Sequence, residues 1–226
     1  MRRFFFLLST VALAGCGTFA DPTEWFSSTE VVTPSPLVDL QNQIQPQTLW
    51  ARDVGSGTDN QWLSLVPRVV GDTVYTADAQ GRVEATAIAD GSRRWRVDLK
   101  TPVAGGAGVG EGLVVLGTSD AEVIALDVES GEERWRSQVS SEVLSVPAVA
   151  GGIVVVHTVD GKLFGLEATV GNERWRYERQ VPTLTLRGSA SPLTVGSNIV
   201  AGFDNGRLIA IDAETGDIAE DVIKRR

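Results

Sequence analysis

The stretch "ALDVESGEERW", Ala125–Trp135, decides the fold. A short apolar run ends in an aspartate, a Ser-Gly pair turns the chain, and a second run carries a tryptophan. The same columns recur along the chain. Trp95, Trp135 and Trp175 are spaced by 40 residues, and Gly91, Gly131, Gly171 and Gly216 stand in the glycine column that precedes them. Gly81, Gly161 and Gly206 mark an earlier turn, with Ala121 in that column of the second unit. A fixed period of this length is the signature of a repeat architecture.

Each unit reads as four short antiparallel strands. Val154–Val156 is β-branched and bounded by turn residues, which favours a strand. Asp160-Gly161 and Asn205-Gly206 follow such runs and give the two-residue hairpin signal, because these residues tolerate positive φ. A returning strand, a second Gly turn and the Trp strand complete the unit, with "VPAVA" or "SPLTV" as the entering strand. One four-stranded sheet cannot bury both faces alone, and sheets stacked about an axis can. The expected fold class is all-β, a β-propeller of four-stranded antiparallel blades. Helical and leucine-rich solenoids have 3.6-residue spacing or shorter periods, and neither is seen. Residues 47–226 hold three full units, a fourth expected to lose its last strand, and an opening strand at "TLWARDV" with Leu49 and Trp50. About four blades are therefore expected, in an incomplete ring.

Outward from the repeat, the N-terminus is of another kind. Arg2 and Arg3 precede an apolar run, Phe4–Ala14, of about 11 residues. It is too short to span a bilayer and reads as an export signal, residues 1–15. "LAGC" resembles a bacterial lipobox, which implies lipidation at Cys16. Gly17 in place of an aspartate implies, by analogy with lipoprotein sorting, passage to the outer membrane. Residues 16–46, rich in Ser, Thr, Pro and Gln, read as a flexible tether. Trp25 and Phe26 lie within it, and the sequence leaves open whether they dock on the blades or on the membrane.

Composition excludes much. A formal charge of −9 without a basic tract argues against nucleic-acid binding. One Cys excludes an internal disulfide framework and a cysteine-based zinc site. The one histidine, His157, stands in a column otherwise held by Ala77, Gly117 and Gly202, and reads as a hydrogen-bonded structural residue. "GGAGVGEG", Gly105–Gly112, lacks the Lys-Ser/Thr of a phosphate loop and precedes a strand, so close strand packing explains it. Arginines flank each Trp (Arg94 and Arg96, Arg134 and Arg136, Arg174 and Arg176). Alternation turns them away from the Trp face, where they read as solvated partners of nearby Glu. No catalytic residue, metal site or cofactor is expected.

The pattern A-x-D-x-x-[ST]-G-x-x-x-W resembles the tryptophan-docking motif of the pyrroloquinoline-quinone-type propeller repeat. In that motif the aromatic fills the wedge between adjacent blades, which implies blade-docking roles for Trp95, Trp135 and Trp175. Copies depart from it: Ala87 and Glu167 replace the aspartate, Val170 precedes the third glycine, and Glu220 stands where Trp should be. Quinoprotein dehydrogenases carry the same repeat. They also hold a quinone and a calcium ion, for which this chain offers no dedicated residues.

The ruler breaks once. From Trp95 to Ala107 and from Trp135 to Pro147 the distance is 12 residues, and from Trp175 to Pro192 it is 17. The excess lies in "RQVPTLTLRGSASP", Arg179–Pro192. Leu184 and Leu186 alternate with Thr183 and Thr185, which fits two readings. The segment is the entering strand of the fourth blade with both leucines in the core, or a projecting contact loop.

Lipobox, quinone-type repeats, acidic tether and "PTLTLRGSASP" together resemble the BamB family of lipoproteins, which serve the outer-membrane β-barrel assembly machinery. The resemblance spans essentially the whole chain. It implies a non-catalytic scaffold on the periplasmic face of the outer membrane. It also implies that Leu184, Leu186 and Arg187 contact the periplasmic domains of the BamA-type barrel subunit, with unfolded outer-membrane clients as further partners. The family's second contact segment, an aspartate pair in a later blade, has no counterpart here. Another periplasmic binding lipoprotein of this repeat type is the alternative, and a quinoprotein dehydrogenase fragment the remote one.

Overall fold

The computed structural model describes Ser35, Leu37 and residues 44–178 and 188–223. The chain divides into two units, Met1–Pro46 and Gln47–Arg226. Every described strand lies in the second, and no helix occurs among the described residues.

A two-residue strand, β1 (Ser64–Leu65), precedes four antiparallel sheets. The first blade is β2 (Arg68–Val70), β3 (Thr73–Ala77), β4 (Arg82–Ala87) and β5 (Arg93–Asp98). The second is β6 (Val103–Gly110), β7 (Leu113–Thr118), β8 (Glu122–Asp127) and β9 (Glu133–Gln138). The third is β10 (Ala148–Ala150), β11 (Ile153–His157), β12 (Lys162–Glu167) and β13 (Glu173–Glu178). The fourth is β14 (Leu193–Val195), β15 (Asn198–Gly202), β16 (Arg207–Asp212) and β17 (Ile218–Ile223). Among the described residues no strand pairing joins the first sheet to the fourth, so the blades form an incomplete propeller.

Local chemistry sets each blade. In the second, Asp127 accepts hydrogen bonds from Glu129 N, Ser130 N and Ser130 Oγ, which closes the turn before β9. Arg134 clamps the same carboxylate, and these donors hold it well below the usual carboxylate range. Asp212 repeats the turn with Thr215. In every blade the third and fourth strands slip register at one place, beside the small residue facing the Trp column: Ala85, Ala125, Gly165 and Ala210.

The core lies between blades. Val115, Val123 and Trp135 of the second and Val143 of the connection that follows it meet Val154, Phe164 and Leu166 of the third in one buried cluster. Similar clusters join first to second and third to fourth. Each Trp indole donates to a carbonyl of the next blade: Trp95 Nε1 to Val128 O (2.9 Å), Trp135 to Ala168 O (2.7 Å) and Trp175 to Ala213 O (2.9 Å). Its ring lies over the glycine of that blade's turn, leaving no room for a side chain there.

Two expectations need correction. The fourth blade keeps its last strand, because β17 pairs with β16 through the backbone although Glu220 replaces the tryptophan. "TLWARDV" forms no strand, and Trp50 instead acts through its side chain. Its indole donates to Ile88 O at 2.6 Å and lies over Gly91, in the manner of the other three. Arg52, two residues on, bonds Gly91 O and meets Glu84 at 2.9 Å. Glu84 is only 1% exposed and stands in the column of Ile124, Phe164 and Ile209, so this first contact is fixed by an ion pair where the others use apolar packing.

The indole–glycine contact can be isolated by comparing Gly131 with Gly112. Both have positive φ (75° and 78°). A Cβ at Gly131 would lie 2.6 Å from Trp95 Cε3, and one at Gly112 would meet nothing within 4 Å. Gly112→Ala is expected to lose about 1–2 kcal/mol from backbone strain. Gly131→Ala is expected to lose about 1–3 kcal/mol more from overpacking. The difference in urea midpoints at constant slope measures it.

Candidate functional site

Alternating antiparallel strands bring each blade's outer strand to an end at the side where the next inner strand begins. The connections between blades therefore emerge on one face of the arc. The second and third blades are entered by 12-residue spans, Trp95–Ala107 and Trp135–Pro147. The fourth is entered by the 17-residue span Trp175–Pro192. With Trp50 recognised as a docking residue, the span into the first blade, Trp50–Pro67, is also 17. Two of the four connections are thus long, and by the same amount.

The first long connection is tied down at both ends. Ser56 N and Oγ donate to the buried Asp78, and Ala79 N donates to Gly57 O. Its far end forms β1, which runs parallel to β6 with Ser64 opposite Gly105 and Leu65 opposite Gly106. Between these ties Gln61 N bonds Thr58 O and Leu63 N bonds Gln61 O, a compact turn that carries Trp62 outward. Trp62 is 98% exposed.

The second long connection ends in a clamp built on His157. The imidazole is 3% exposed, and its Nδ1 lies 3.0 Å from Ala190 O. A carbonyl only accepts, so Nδ1 carries the proton. Ser189 Oγ and Ser145 Oγ both donate to His157 O at 3.2 Å, and Val146 N donates to Ser191 Oγ at 3.0 Å. The ring meets Phe203 of the fourth blade edge-on at 4.9 Å. His157 therefore joins three elements: its own strand, the tail of the connection and the next blade. Burial holds its pKa below the ordinary imidazole value, while Ala190 O, Asp204 and Asp160 oppose the shift. The two long connections meet in a cleft of about 320 Å³ lined by Gln61, Trp62, Leu63, Ser64, Leu144, Gly188 and Ser189.

Of the residues singled out in the sequence, Trp95, Trp135 and Trp175 sit between blades, as described above. Cys16, Trp25, Phe26, Leu184, Leu186 and Arg187 lie outside the described residues. The inner-strand place of the fourth blade is taken by Leu193–Val195, paired with β15. The flanking arginines form surface ion pairs: Arg94 with Asp72, Arg134 with Asp127, Arg136 with Glu122 and Glu133, Arg176 with Glu173. A side chain at Gly105 or Gly108 would run into the backbone of Ser145 or Pro147, which accounts for that glycine run by close blade approach. Sequence reasoning missed the docking role of Trp50 and passed over Trp62. The Trp50-to-Pro67 count would have flagged both.

A family model described as outer membrane protein assembly factor BamB matches residues 79–225. Among curated relatives, the assembly factor BamB of Pseudomonas aeruginosa is 51% identical over 210 residues, covering 93% of this chain and 53% of that protein. The Escherichia coli K12 protein of the same name is 41% identical over 222 residues, covering 94% of this chain and 55% of its own. The chain spans about half the length of the curated relatives it matches. The crystal structure of BamB from Moraxella catarrhalis aligns with a TM-score of 0.63 at 29% identity, covering 70% of this chain and 47% of that one. A quinohemoprotein alcohol dehydrogenase from Comamonas testosteroni aligns with a TM-score of 0.55 at 18% identity, covering 71% of this chain and 34% of that one. That likeness is of fold alone.

The clamp carries a pH signature. The folded chain takes up a proton on His157 less readily than the unfolded chain. The contribution of the neutral ring is complete above the unfolded value of about 6.5 and is lost as pH falls below it. His157→Gln is expected to flatten the loss of stability just below that pH, seen as the difference between the two proteins' urea midpoints across pH 7 to 5. His157→Ala is expected to lose about 1–3 kcal/mol at pH 8, from the lost hydrogen bond and the gap beside Phe203.

Proposed function

The chain belongs to the BamB family of outer membrane protein assembly factors, and from that premise we propose that it is a non-catalytic scaffold of β-barrel assembly at the outer membrane. Its residues 1–15 are an export signal, Cys16 carries lipid, and residues 16–46 tether blades 47–226 to the periplasmic face. Several acyl chains, each CH₂ giving about 0.8 kcal/mol, hold such a domain on a bilayer. Its partner is the BamA-type barrel subunit, bound through that subunit's periplasmic domains. Unfolded outer-membrane clients are further partners, engaged by strand addition at exposed sheet edges.

One observation carries the reading beyond family membership. The connection bearing Leu184, Leu186 and Arg187 is the one whose tail, Ser189–Ser191, is fastened to the third blade by the His157 clamp. Rigid blades that present lengthened connections on one face suit binding, since loops held on a rigid scaffold carry function. Two leucines offer apolar anchors, and a forked guanidinium takes a carboxylate.

The pair Leu184→Ala with Arg187→Glu is expected to abolish co-purification with the barrel subunit while the urea midpoint stays unchanged. Unchanged co-purification refutes these contact residues. Cys16→Ala is expected to move the protein from the membrane fraction to the soluble periplasmic fraction and to remove incorporation of labelled palmitate. Retention of either signal refutes the anchor.

A further inference from the structure

We propose that Arg82, Arg93 and Arg96 of the first blade form an anion site that takes the phosphate groups of lipids, so that this blade rests on a negatively charged membrane surface. The proposal rests on the reading that residues 16–46 tether the blades to a bilayer.

The repeat isolates the feature. Strand pairing puts Arg82, Glu122 and Lys162 in one column, Arg96, Arg136 and Arg176 in a second, and Arg93, Glu133 and Glu173 in a third. In the second blade these places converge: Arg136 Nη1 lies 2.7 Å from Glu122 and Nη2 3.0 Å from Glu133. In the third, Arg176 pairs with Glu173 and Glu178, and Lys162 with Asp160. The same backbone positions of the first blade hold three arginines.

The fold does not neutralise them. Among the described residues Arg82, Arg93 and Arg96 form no ion pair, and Arg82 Nε is buried without a hydrogen-bond partner. Two carboxylates stand on the same strands. Glu84, opposite Arg96, is held by Arg52 and Thr86. Asp98 is opposite Arg82 and forms no ion pair with it. In the second blade Arg136 also donates to Thr101 of the preceding connection. Ser56, six residues after Trp50 as Thr101 is after Trp95, holds that place for the first blade, and its hydroxyl is given to Asp78. Like charges gathered on one sheet face without a counter-charge are destabilising. Three of them, in a chain of net charge −9, call for an anion from outside.

A preceding blade leaves such a site open. The second blade has one docked against it, and the side chains of Glu122, Arg136 and Glu133 are still 24%, 30% and 40% exposed. In the first blade Arg93 and Arg96 are exposed and Arg82 is half-buried. The guanidinium fork matches two phosphate oxygens, so several forks on one small surface suit an array of headgroups. The path of the chain gives the source. It enters the folded unit at Gln47, and the first residues fixed to a blade, Trp50 and Arg52, are fixed to this one. A tether that feeds into the first blade makes its headgroup contacts intramolecular, and each cation near an anionic surface adds to binding.

The test uses the full chain with Cys16→Ala, so that no acyl chain contributes, and vesicles of phosphatidylcholine alone or with phosphatidylglycerol. Residues before Gln47 are common to all forms, so differences between forms report the blades. Arg82→Glu/Arg93→Glu copies the second blade's pairing onto the first, and its urea midpoint is expected not to fall. Its affinity for the anionic vesicles is expected to fall at least about tenfold, with the neutral vesicles unaffected. Arg134→Glu/Arg174→Glu carries the same net charge on other blades and is expected to bind as the parent does. Arg93→Gln/Arg96→Gln repeats the measurement without touching the half-buried Arg82 and is expected to weaken binding in the same sense. Added salt is expected to remove the parent's preference for anionic vesicles. Equal binding of the parent to both vesicles, or an equal fall in the charge-matched control, overturns the proposal. Inorganic phosphate bound by the parent without any vesicle preference makes the site one for a soluble anion, and the membrane assignment fails. It fails also if Arg82→Glu/Arg93→Glu keeps its vesicle binding and loses the barrel subunit's periplasmic domains, since the anion is then on a protein. Palmitate labelling judges the tether separately. Label without vesicle preference overturns this proposal alone, and vesicle preference without label overturns the anchor and the orientation drawn from it.

Discussion

The structure depends on one repeated contact, an indole laid over the turn glycine of the blade that follows it. Trp50, Trp95, Trp135 and Trp175 each donate Nε1–H to a carbonyl three residues before a turn glycine, and each lays its ring over that glycine. The contact joins two requirements. A buried indole N–H needs an acceptor, and a large ring needs an opposing surface without a Cβ. Satisfying both at every junction fixes the pitch from blade to blade. Apolar packing then fills the remainder, as where Val115 and Trp135 meet Val154 and Phe164. At the first junction the pair of half-buried Arg52 with buried Glu84 takes the place of apolar packing, which favours one register over near alternatives, since a mismatched partner would leave the Glu84 carboxylate without its cation.

A frame fixed in this way leaves the connections free to vary. The spans into the second and third blades stay short and pack closely, with Gly105 and Gly108 against the backbone of Ser145 and Pro147. The spans into the first and fourth blades are lengthened, and the described parts of both are tied to the blades. Asp78 and β6 hold one, and His157 holds the tail of the other. The strands carry the repeat, and the fastened extensions carry what distinguishes one blade from another.

Much of this was legible in the residues. The turn chemistry is local: Asp127, Ser130 and Gly131 sit within five residues of one another and close the turn by themselves, so their pattern announces the blade. The tryptophan period gave the fold class for the same reason. What could not be read depends on distant partners. His157 reads correctly as a hydrogen-bonded structural residue, but its partners, Ala190 O and Phe203, are linked to it by no spacing rule. The fourth blade keeps its outer strand because backbone pairing to β16 does not need the missing tryptophan. The docking role of Trp50 escaped notice because its own segment forms no strand and lies outside the aligned repeat columns. Once Trp50 is placed, the equal lengths of the two extensions follow from counting. The proposed contact residues Leu184, Leu186 and Arg187 were marked by the broken ruler and by resemblance.

The central proposal is that this propeller arc binds the barrel subunit through the lengthened connection that carries Leu184, Leu186 and Arg187. Hydrogen–deuterium exchange of the full chain with and without the subunit's periplasmic domains tests it most directly. Protection is expected in residues 179–191, with the 12-residue spans and the turns of the opposite face unchanged. Protection confined to the opposite-face turns, or to the outer strands β5, β9 and β13, would contradict it.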